Sequence, residues 1–351
     1  MKKYRYKVTV GMPVYCVEAY IRKSMLSVLN QSFKEDMEII AVDDLGSDKS
    51  IEIIKELQCS HPRGKCIKIL SQPINMGCWA ARNRILDEAK GEYIFLLDSD
   101  DYISENCIEL LYKQAIIHKA EVVYGSVKAI DISGNTIDIG QHYLSQPNIV
   151  INESDGLAIF ANKTISTTLR DFIWNILFSH DFISQHNIRF KKAQFNDDMI
   201  FSSDMVPLVS KAVLISNHTY YYLIRDNSLS NYQHRKEISL DEIKEFIRIY
   251  TYLKNKCKEL REKPYFETKC TKGMILMFYM LYGVLKNKKR IYPNIENYIL
   301  KNAIQHPFQL KDILQFKHHK FLNIIFYIIG KLPAPLSVYF IQLLGKLKRL
   351  I

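Results

Sequence analysis

The sequence lacks several features that would place it in a protein class at once. It has no Cys-x-x-Cys pair, and its seven cysteines are an odd number, so neither a zinc finger nor a complete disulfide framework is expected. It shows no internal repeat and no low-complexity tract. No stretch reaches the roughly 18 consecutive apolar residues of a membrane-spanning helix, because the best candidate, 321–330, ends at Lys331. We therefore expect a globular protein whose cysteines are mostly buried thiols in a reducing cytosol.

The pattern of a signal peptide is incomplete as well. Residues 1–7 are basic and 8–17 are apolar, but Pro13 interrupts the apolar run, Glu18 ends it, and no small-residue cleavage site follows. We therefore predict a cytoplasmic location. With 48% hydrophobic and 24% charged residues, a chain of 351 residues can hold a catalytic domain and an appended region.

Charge is distributed unevenly along the chain. Residues 1–234 contain 25 Lys and Arg against 28 Asp and Glu, whereas residues 235–351 contain 23 against 9. The first part therefore has a formal charge of −3 and the second part +14. A basic surface of that size attracts polyanions, so nucleic acid and an anionic membrane surface are both candidate partners on charge alone.

Short β-rich runs alternate with helix-patterned stretches over the first 131 residues. Strands are predicted at 8–15, 38–44, 66–71, 93–98 and 121–130, and helices at 18–30, 48–58, 77–89 and 105–118. This alternation predicts an α/β fold built on a mostly parallel sheet.

Later stretches follow other patterns. The apolar spacing predicts helical structure over 153–187 and a helix over 195–210, and a Tyr-rich run predicts strands over 212–225. After residue 231 the chain is helical, basic and apolar. We therefore predict a catalytic domain at 1–231 and a helical C-terminal region at 232–351.

Acidic residues cluster at three places where ligands collect in an open α/β sheet, the carboxyl ends of strands and the start of a later helix. The clusters are Asp43-Asp44, Asp98-Ser99-Asp100-Asp101 and Asp197-Asp198. Like charges gathered in this way need a cation or hydrogen-bond donors to balance them. Asp98 and Asp100 suit a hard cation such as Mg²⁺ or Mn²⁺, whereas the alternative is that the acidic residues only cap helices.

Residues 10–230 resemble a family 2 glycosyltransferase of the GT-A fold, in the order and spacing of their motifs as well as in identity. The matching segments are Pro13-Val14-Tyr15, Ser27-Val28-Leu29, Gln31-Ser32, Glu38-Ile39-Ile40, Val42-Asp43-Asp44, Asn75, Gly77, Ala80-Ala81-Arg82-Asn83, Gly91-Glu92-Tyr93-Ile94, Leu97-Asp98-Ser99-Asp100-Asp101, Trp174-Asn175, Leu177, Ile188-Arg189-Phe190, Asp197-Asp198 and Phe201. The resemblance implies a Rossmann-like mixed sheet flanked by helices, with 1–131 binding a nucleotide sugar and 132–231 binding the acceptor.

The resemblance also implies the reaction and its residues. A nucleotide-diphosphate sugar, expected to be UDP-linked, would transfer its sugar with inversion to a hydroxyl of a glycan or lipid-linked glycan in cell-surface polysaccharide synthesis. Asp198 would be the catalytic base with Asp197 as its helper, and Asp98 and Asp100 would bind the metal. The donor-binding residues would be Pro13, Tyr15, Asp43, Asp44, Arg82, Asp98, Ser99 and Arg225. Ser228 and His234 are further candidates near the phosphates and the metal.

Three departures from the family pattern bear on the sugar and the acceptor. Cys16 stands where the family usually has Asn, and Leu45-Gly46-Ser47 replaces the customary Gly-Ser-Thr. Ser179-His180 replaces a common basic pair. These differences leave the identity of both substrates open and do not affect the expected fold.

The C-terminal stretch 316–351 combines basic and apolar residues, as an interfacial helix does. Pro333 and Pro335 are expected to divide it into two short helices. We predict peripheral binding to the cytoplasmic face of the cell membrane, and an oligomer interface is the alternative. The sequence does not predict the oligomeric state.

Three other functions compete with a glycosyltransferase. A nucleotidyltransferase acting on sugar phosphates typically has a Gly-rich loop after the first strand, and the sequence has none there. A basic nucleic-acid-binding protein would leave the acidic clusters unexplained, and no recognisable nucleic-acid-binding motif is present. A scaffold with a decayed site is disfavoured because Asp98, Asp100 and Asp198 are all intact.

Overall fold

The computed structural model describes residues 3–138, 145–166, 169, 171–225 and 236–347. The chain divides into two compact units. Unit 1 comprises Met1–Ala158 and Leu169–Asp226, and unit 2 comprises Ile159–Thr168 and Asn227–Ile351. The boundary predicted between residues 231 and 232 lies outside the described residues.

The first half of unit 1 is a parallel sheet with helical crossovers. Its strands are β1 (Tyr6–Val14), β2 (Met37–Asp43), β3 (Ile67–Ser71) and β4 (Gly91–Leu96), and its helices are α1 (Glu18–Leu29), α2 (Ser50–Ser60), α3 (Cys78–Glu88) and α4 (Cys107–His118). β1 lies between β2 and β4, and all three run parallel. Their apolar side chains are buried on both faces of the sheet, as expected of parallel strands flanked by helices, and those of one face, such as Val10, Ile39 and Phe95, belong to one large core cluster.

The second half of unit 1 makes the sheet mixed. It adds β5 (Tyr102–Ile103), β6 (Val122–Ile130), β7 (Ile149–Asn152), β8 (Ile176–Ser179) and β9 (Lys211–Leu223). The strand order is β3-β2-β1-β4-β8-β6-β9-β5, and β7 also pairs with β9. β8 runs antiparallel between β4 and β6, whereas β6 and β9 are parallel. The expected mixed, mostly parallel sheet flanked by helices is therefore confirmed.

The prediction of helical structure over 153–187 was wrong for its central part. In the described part of this stretch the helices are two short ones, α5 (Gly156–Ala161) and α6 (His180–Gln185), and β8 lies between them. The residues Ile176, Leu177 and Phe178 are fully buried in the middle of the sheet. A short run that is apolar on both faces has no periodicity by which a strand can be told from a buried helix. The helix predicted over 195–210 is α7 (Asp197–Met205), followed by a 3₁₀ turn at Val206–Leu208.

Unit 2 is the expected helical C-terminal region. It contains β10 (Ile238–Ser239), α8 (Leu240–Asn255), α9 (Phe266–Lys286), β11 (Ile291–Tyr292), α10 (Asn297–Ala303), α11 (Leu310–Ile313), α12 (Lys320–Lys331) and α13 (Ala334–Leu347). α12 ends and α13 begins on either side of Pro333, which confirms the predicted division into two helices. Among the helices of the described ranges, none has both the length and the hydropathy needed to cross a bilayer.

A buried lysine joins α8 to the segment after α10. The Nζ of Lys254 donates hydrogen bonds to the backbone oxygens of Ala303 and Gln305, each at 2.6 Å. Burial of this ammonium group lowers the pKa of Lys254 to about 8. The charge is thus held by carbonyl dipoles, and Lys254 titrates closer to neutrality than an ordinary lysine.

The cysteines are less buried than the sequence suggested. All seven are free, but only Cys107, Cys257 and Cys270 are buried. Cys16, which follows β1, Cys59 and Cys78, the first residue of α3, are exposed.

Candidate active site

The acidic clusters of unit 1 lie at one edge of the sheet. Asp43 is the last residue of β2, and Asp98 lies two residues beyond β4. Because β1 is parallel to both strands and pairs with each, the carboxyl ends of the three strands share this edge. Asp197 and Asp198 begin α7.

A buried arginine connects the cluster after β4 with the cluster on α7. Arg82 lies on α3 and is only 5% exposed. Its Nη2 donates to Asp98 Oδ1 and its Nη1 donates to Asp197 Oδ2, both at 2.8 Å. Its guanidinium also lies 5.6 Å from the ring centre of Phe190. Burial by itself would lower the pKa of Arg82, but the carboxylates around it raise that pKa well above its ordinary value, so the side chain stays charged.

This position of Arg82 differs from the contact expected with a donor phosphate. The two terminal nitrogens already donate to carboxylates, and the residue is not part of an exposed salt bridge. Through these two ion pairs Arg82 holds the carboxylates of Asp98 and Asp197 close to each other. Its contact with the donor stays a prediction.

A second arginine holds the turn after β4. The Nη2 of Arg225 donates to Asp100 Oδ2 at 2.6 Å, and the guanidinium lies 5.0 Å from the ring centre of Tyr20. Burial, and then the neighbouring charge of Asp98, raises the pKa of the Asp100 carboxyl, whereas Arg225 lowers it. The site therefore carries an excess of negative charge that two arginines offset only in part.

The donor set of Asp98 and Asp100 fits a hard divalent cation with two protein ligands. Both are half-buried carboxylates at one turn, and each shares one oxygen with an arginine. Within the described part of the chain, no group of three or more His, Cys, Asp and Glu side chains could hold a metal ion. Mg²⁺ in particular is commonly held by one or two carboxylates, with substrate phosphates and water completing its shell. The two residues thus suit a cation that arrives with a diphosphate.

The start of α7 carries the candidate base. Asn196 has a left-handed backbone, with φ 52°, and turns the chain into the helix so that Asp197 is buried and Asp198 is half-buried. The Oδ1 of Asp198 accepts a hydrogen bond from the backbone N–H of Met199 at 2.9 Å. Burial, followed by the charge of Asp197, raises the pKa of Asp198 to about 7 against the opposing effect of Arg82. A carboxylate with such a pKa is well suited to accept a proton near neutral pH.

The two aspartates after β2 have different surroundings. Asp44 is 3% exposed, and its two carboxylate oxygens accept the backbone N–H groups of Met76 and Gly77, each at 2.8 Å. Gly77 has a φ of 90° and immediately precedes α3, so a glycine lets the chain turn into the helix there. Asp44 therefore fixes the loop before α3, and its contact with the donor stays a prediction. Asp43 is half-buried, and its Oδ1 accepts the N–H of Leu45 at 2.9 Å.

The remaining predicted donor residues lie at or near the same edge of the sheet. Tyr15 follows β1 and is 53% exposed, so its ring is available for stacking. Pro13 is half-buried near the end of β1, and Ser99 is 5% exposed in the turn after β4. Ser228 and His234 lie outside the described residues.

Two side chains that fix this geometry had no assigned role from the sequence. Asn83, next to Arg82, binds both backbone groups of Phe190, donating to its oxygen at 2.8 Å and accepting from its nitrogen at 2.9 Å. Phe190 in turn stacks on Phe201 of α7 at 4.2 Å between ring centres. The sequence signal was the place of Asn83 in the segment Ala80-Ala81-Arg82-Asn83 that carries the family resemblance.

The other is Asp101, which is buried at the end of the acidic turn. It accepts hydrogen bonds from the hydroxyl of Tyr220 and the N–H of Leu223, both at 2.7 Å. Burial, and then Asp100 and Asp98, raises the pKa of this carboxyl well above its ordinary range. Asp101 thereby fixes the end of β9, from which Arg225 reaches Asp100.

Comparisons with known proteins agree with this architecture. The sequence model of "Glycosyl transferase family 2" matches residues 9–185. GlyA, a glycosyltransferase of Streptococcus pneumoniae serotype 4, is 30% identical over 231 residues, which is 64% of this chain and 31% of GlyA. The poly(ribitol-phosphate) β-glucosyltransferase of Bacillus spizizenii is 27% identical over 222 residues, 62% of this chain and 32% of that protein. The chain thus spans about a third of the length of both relatives.

A solved structure resembles the chain over nearly its whole length. Residues 1–349 of TarS from S. aureus, in complex with UDP-GlcNAc, superpose with a TM-score of 0.67 at 16% identity, covering 97% of this chain and 92% of that one. At this identity the likeness concerns the fold alone. It confirms the GT-A architecture with a helical C-terminal region.

Proposed function

Because the chain belongs to glycosyl transferase family 2, we propose that it is an inverting enzyme that transfers a sugar from a UDP-linked donor to an acceptor hydroxyl. The observation that carries the proposal is the ion-pair chain Asp98–Arg82–Asp197. It holds the carboxylate expected to face the donor in a fixed relation to the pair that would serve the acceptor. A single site can then combine leaving-group stabilisation with proton removal.

The donor side is proposed to consist of the edge of β1 and β2 together with the turn after β4. Tyr15 would stack on the base, Asp43 would accept hydrogen bonds from it, and Asp98 and Asp100 would hold Mg²⁺ or Mn²⁺ against the diphosphate. When bound, the cation would offset the negative charge that develops on the leaving group. The fit to a nucleotide sugar is supported by TarS, which was solved with UDP-GlcNAc.

The acceptor side is proposed to centre on Asp198. Its carboxylate would take the proton of the acceptor hydroxyl as that oxygen forms a bond to the anomeric carbon. The bond between the anomeric carbon and the diphosphate oxygen breaks at the same time, and the nucleoside diphosphate leaves with the electron pair. Attack from the face opposite the leaving group inverts the anomeric configuration. The half-buried position of Asp198 and its raised pKa support this role.

Arg82 and Asp44 would position this machinery. Arg82 neutralises Asp197, so Asp198 is the carboxylate of the pair that is left to accept a proton. Asp44 fixes the loop that leads into α3, the helix that carries Arg82. Both residues would act through others, without touching the reacting atoms.

The acceptor is proposed to be a glycan, carried on a lipid at the inner face of the cell membrane, in cell-surface polysaccharide synthesis. The name of the relative from Bacillus spizizenii indicates a poly(ribitol-phosphate) acceptor for that protein. The chemistry of Asp198 requires only a hydroxyl.

A thermal-shift panel tests the donor assignment. UDP-, GDP- and dTDP-linked sugars would each be added with and without Mn²⁺. A UDP-sugar at about 100 times its Kd should stabilise the protein by about 2.7 kcal/mol. The shift should shrink when Asp100 is replaced by Asn and stay unchanged in Asp87→Asn, a control on the exposed side of α3. If no nucleotide sugar raises the melting temperature, the donor assignment is wrong.

A further inference from the structure

The last two helices of unit 2 expose large apolar side chains on one face each. On α12, Phe321, Ile325 and Ile328 follow one another at intervals of four and three residues, and Phe321 is 83% exposed. On α13, Leu336, Tyr339 and Leu343 follow at the same helical spacing and are 36–55% exposed. Residues at such intervals line one side of a helix, so each helix carries a continuous apolar stripe.

The opposite faces of both helices are packed inside unit 2. Phe326 of α12 is fully buried and its ring lies 5.8 Å from that of Phe278 on α9. On α13, Gly345 approaches the ring of Tyr282 so closely that an added Cβ would lie 2.3 Å from it. α12 and α13 contact each other, and both contact α9 and α10. Because both helices pack on the same pair, their exposed stripes point away from that pair. We call these six exposed residues the C-terminal apolar face.

The formal charges that the segment after Asp312 carries all have the same sign, and one carboxylate from elsewhere in unit 2, that of Glu267, accepts the backbone N–H groups of Lys317 and His318 before α12. The sequence contains no Asp or Glu after Asp312, whereas Lys317, Lys320, Lys331 and Lys346 lie beside or at the ends of the two helices. Lys317, Lys331 and Lys346 are exposed. Two helices that carry apolar side chains and lysines, and no Asp or Glu of their own, match a surface that is apolar inside and anionic outside.

This combination distinguishes the possible occupants. A second copy of the chain would bring the same lysines together across a two-fold axis, with no carboxylate of this segment to pair with them. A nucleic acid would bind the lysines but would leave Phe321 and Ile328 in water. An anionic lipid bilayer satisfies both, because its headgroups pair with the lysines and its acyl chains cover the apolar stripes.

We propose that the C-terminal apolar face of unit 2 binds the surface of an anionic lipid bilayer, with α12 and α13 lying in the plane of the interface. Phe321, Ile325, Ile328, Leu336, Tyr339 and Leu343 insert below the headgroups, and the lysines remain at headgroup level. The face lies in unit 2 and the candidate active site in unit 1, so lipid binding does not depend on the proposed chemistry.

Vesicle flotation of the full chain tests the proposal. The protein should float with vesicles made of equal parts phosphatidylcholine and phosphatidylglycerol, and less with phosphatidylcholine alone. The variant with Phe321→Gln, Ile325→Gln and Ile328→Gln should bind anionic vesicles more than about tenfold more weakly, since three apolar side chains lose their burial in lipid. Replacing Lys317, Lys320 and Lys331 by Gln should weaken binding about fivefold per lysine, on anionic vesicles only.

A matched control distinguishes binding by this face from non-specific adsorption of any exposed apolar side chain to vesicles. Ile116 and Ile117 on α4 of unit 1 are 44% and 58% exposed, and their change to Gln should leave flotation unchanged. Circular dichroism should show the same melting curve for all variants, since the altered side chains are exposed apart from Lys320, which is half-buried. The proposal is overturned if the wild-type chain does not float with anionic vesicles, or if the triple apolar variant floats equally well. It is also overturned if the wild type is a dimer that the triple variant dissociates and no lipid binding is detected.

UDP-sugar binding in the thermal-shift assay should be identical in all these variants, so failure of lipid binding leaves the donor assignment standing.

Discussion

Among the residues that the structure describes, each unit buries one cationic side chain, and the two cations are stabilised in different ways. In unit 1, Arg82 bridges the carboxylates of Asp98 and Asp197, and its pKa is held well above the ordinary value. In unit 2, Lys254 donates to two backbone oxygens, and burial lowers its pKa to about 8. A buried cation that is paired with carboxylates stays ionised and can position catalytic groups. A buried cation that is held only by backbone carbonyl groups connects two segments of the fold, and it loses its proton at a lower pH.

The largest expected effect concerns the base that this charge network leaves available. Replacing Asp198 by Asn removes the group that accepts the proton while keeping its shape, so transfer should fall by about 10²–10⁴-fold. Donor binding should remain, because Asp198 is not among the residues proposed to hold the nucleotide or the cation. Steady-state transfer and the donor-induced thermal shift measure the two quantities on the same protein. Unchanged turnover would remove Asp198 as the base.

Breaking the ion-pair chain should have the next largest effect. In Arg82→Lys, a single ammonium group replaces the two terminal nitrogens that reach Asp98 and Asp197, so one buried carboxylate loses its partner. We expect a loss of about 3 kcal/mol in the free energy of unfolding. Misplacement of the carboxylates should also slow transfer by about 10²-fold.

Arg84→Lys is the matched control for Arg82→Lys. Arg84 lies on the same helix but forms only an exposed ion pair with Glu88 at 3.1 Å. Such pairs contribute about 0–1 kcal/mol, so both stability and transfer should stay near those of the wild type. If the two variants behave alike, Arg82 does not organise the site.

Variants of the two aspartates at the end of β2, Asp43 and Asp44, should have different effects if Asp44 positions the loop before α3 and Asp43 binds the donor. In Asp44→Asn, one carboxylate oxygen becomes an NH₂ group that faces the backbone N–H of Met76 or Gly77, leaving a buried donor unsatisfied. This should cost about 1–3 kcal/mol and lower the melting temperature. Asp43→Asn should keep the melting temperature and weaken UDP-sugar binding, as measured by titration calorimetry. Equal effects of the two changes on donor affinity would contradict the division of roles.

Much of this site could be predicted from the sequence, because its acidic clusters follow strands whose alternation with helices was regular. Asp98 lies just beyond the end of a strand and Asp198 lies at the start of a helix, which are the positions that the sequence predicted for them. The bridge that Arg82 forms could not be predicted, since its ion pair with Asp197 joins residues 115 positions apart along the chain. The same limit explains β8, whose place between β4 and β6 depends on pairing with distant strands. A local sequence pattern predicts which face of an element is buried only when the other face is exposed to water, because apolar and polar residues then alternate with a period.

The smallest expected effect, taken as the change in the free energy of unfolding per pH unit, is a pH dependence that originates in unit 2. The pKa of Lys254 falls from 10.5 to about 8 on folding, so between these values the unfolded chain holds a proton that the folded chain has released. Stability from this group therefore rises with pH across that window, by at most about 1.4 kcal/mol per pH unit. Nearby Lys258 contributes to the shift, and the neighbouring thiols Cys257 and Cys270 oppose it.

The effect of Lys254 can be isolated by difference. Buried Cys270, whose pKa is raised, keeps its proton in the folded state and so lowers stability at high pH, which partly cancels the slope from Lys254 in the wild type. Denaturant unfolding of the wild type and of Lys254→Met at several pH values from 8 to 10 gives two slopes whose difference contains the titration of Lys254 together with its coupling to Cys257 and Cys270. Lys254→Met should be less stable throughout, because the oxygens of Ala303 and Gln305 lose their donor, and the difference between the two proteins should widen as pH rises. A constant difference would mean that Lys254 keeps an ordinary pKa in the fold, and the contrast with Arg82 would then disappear.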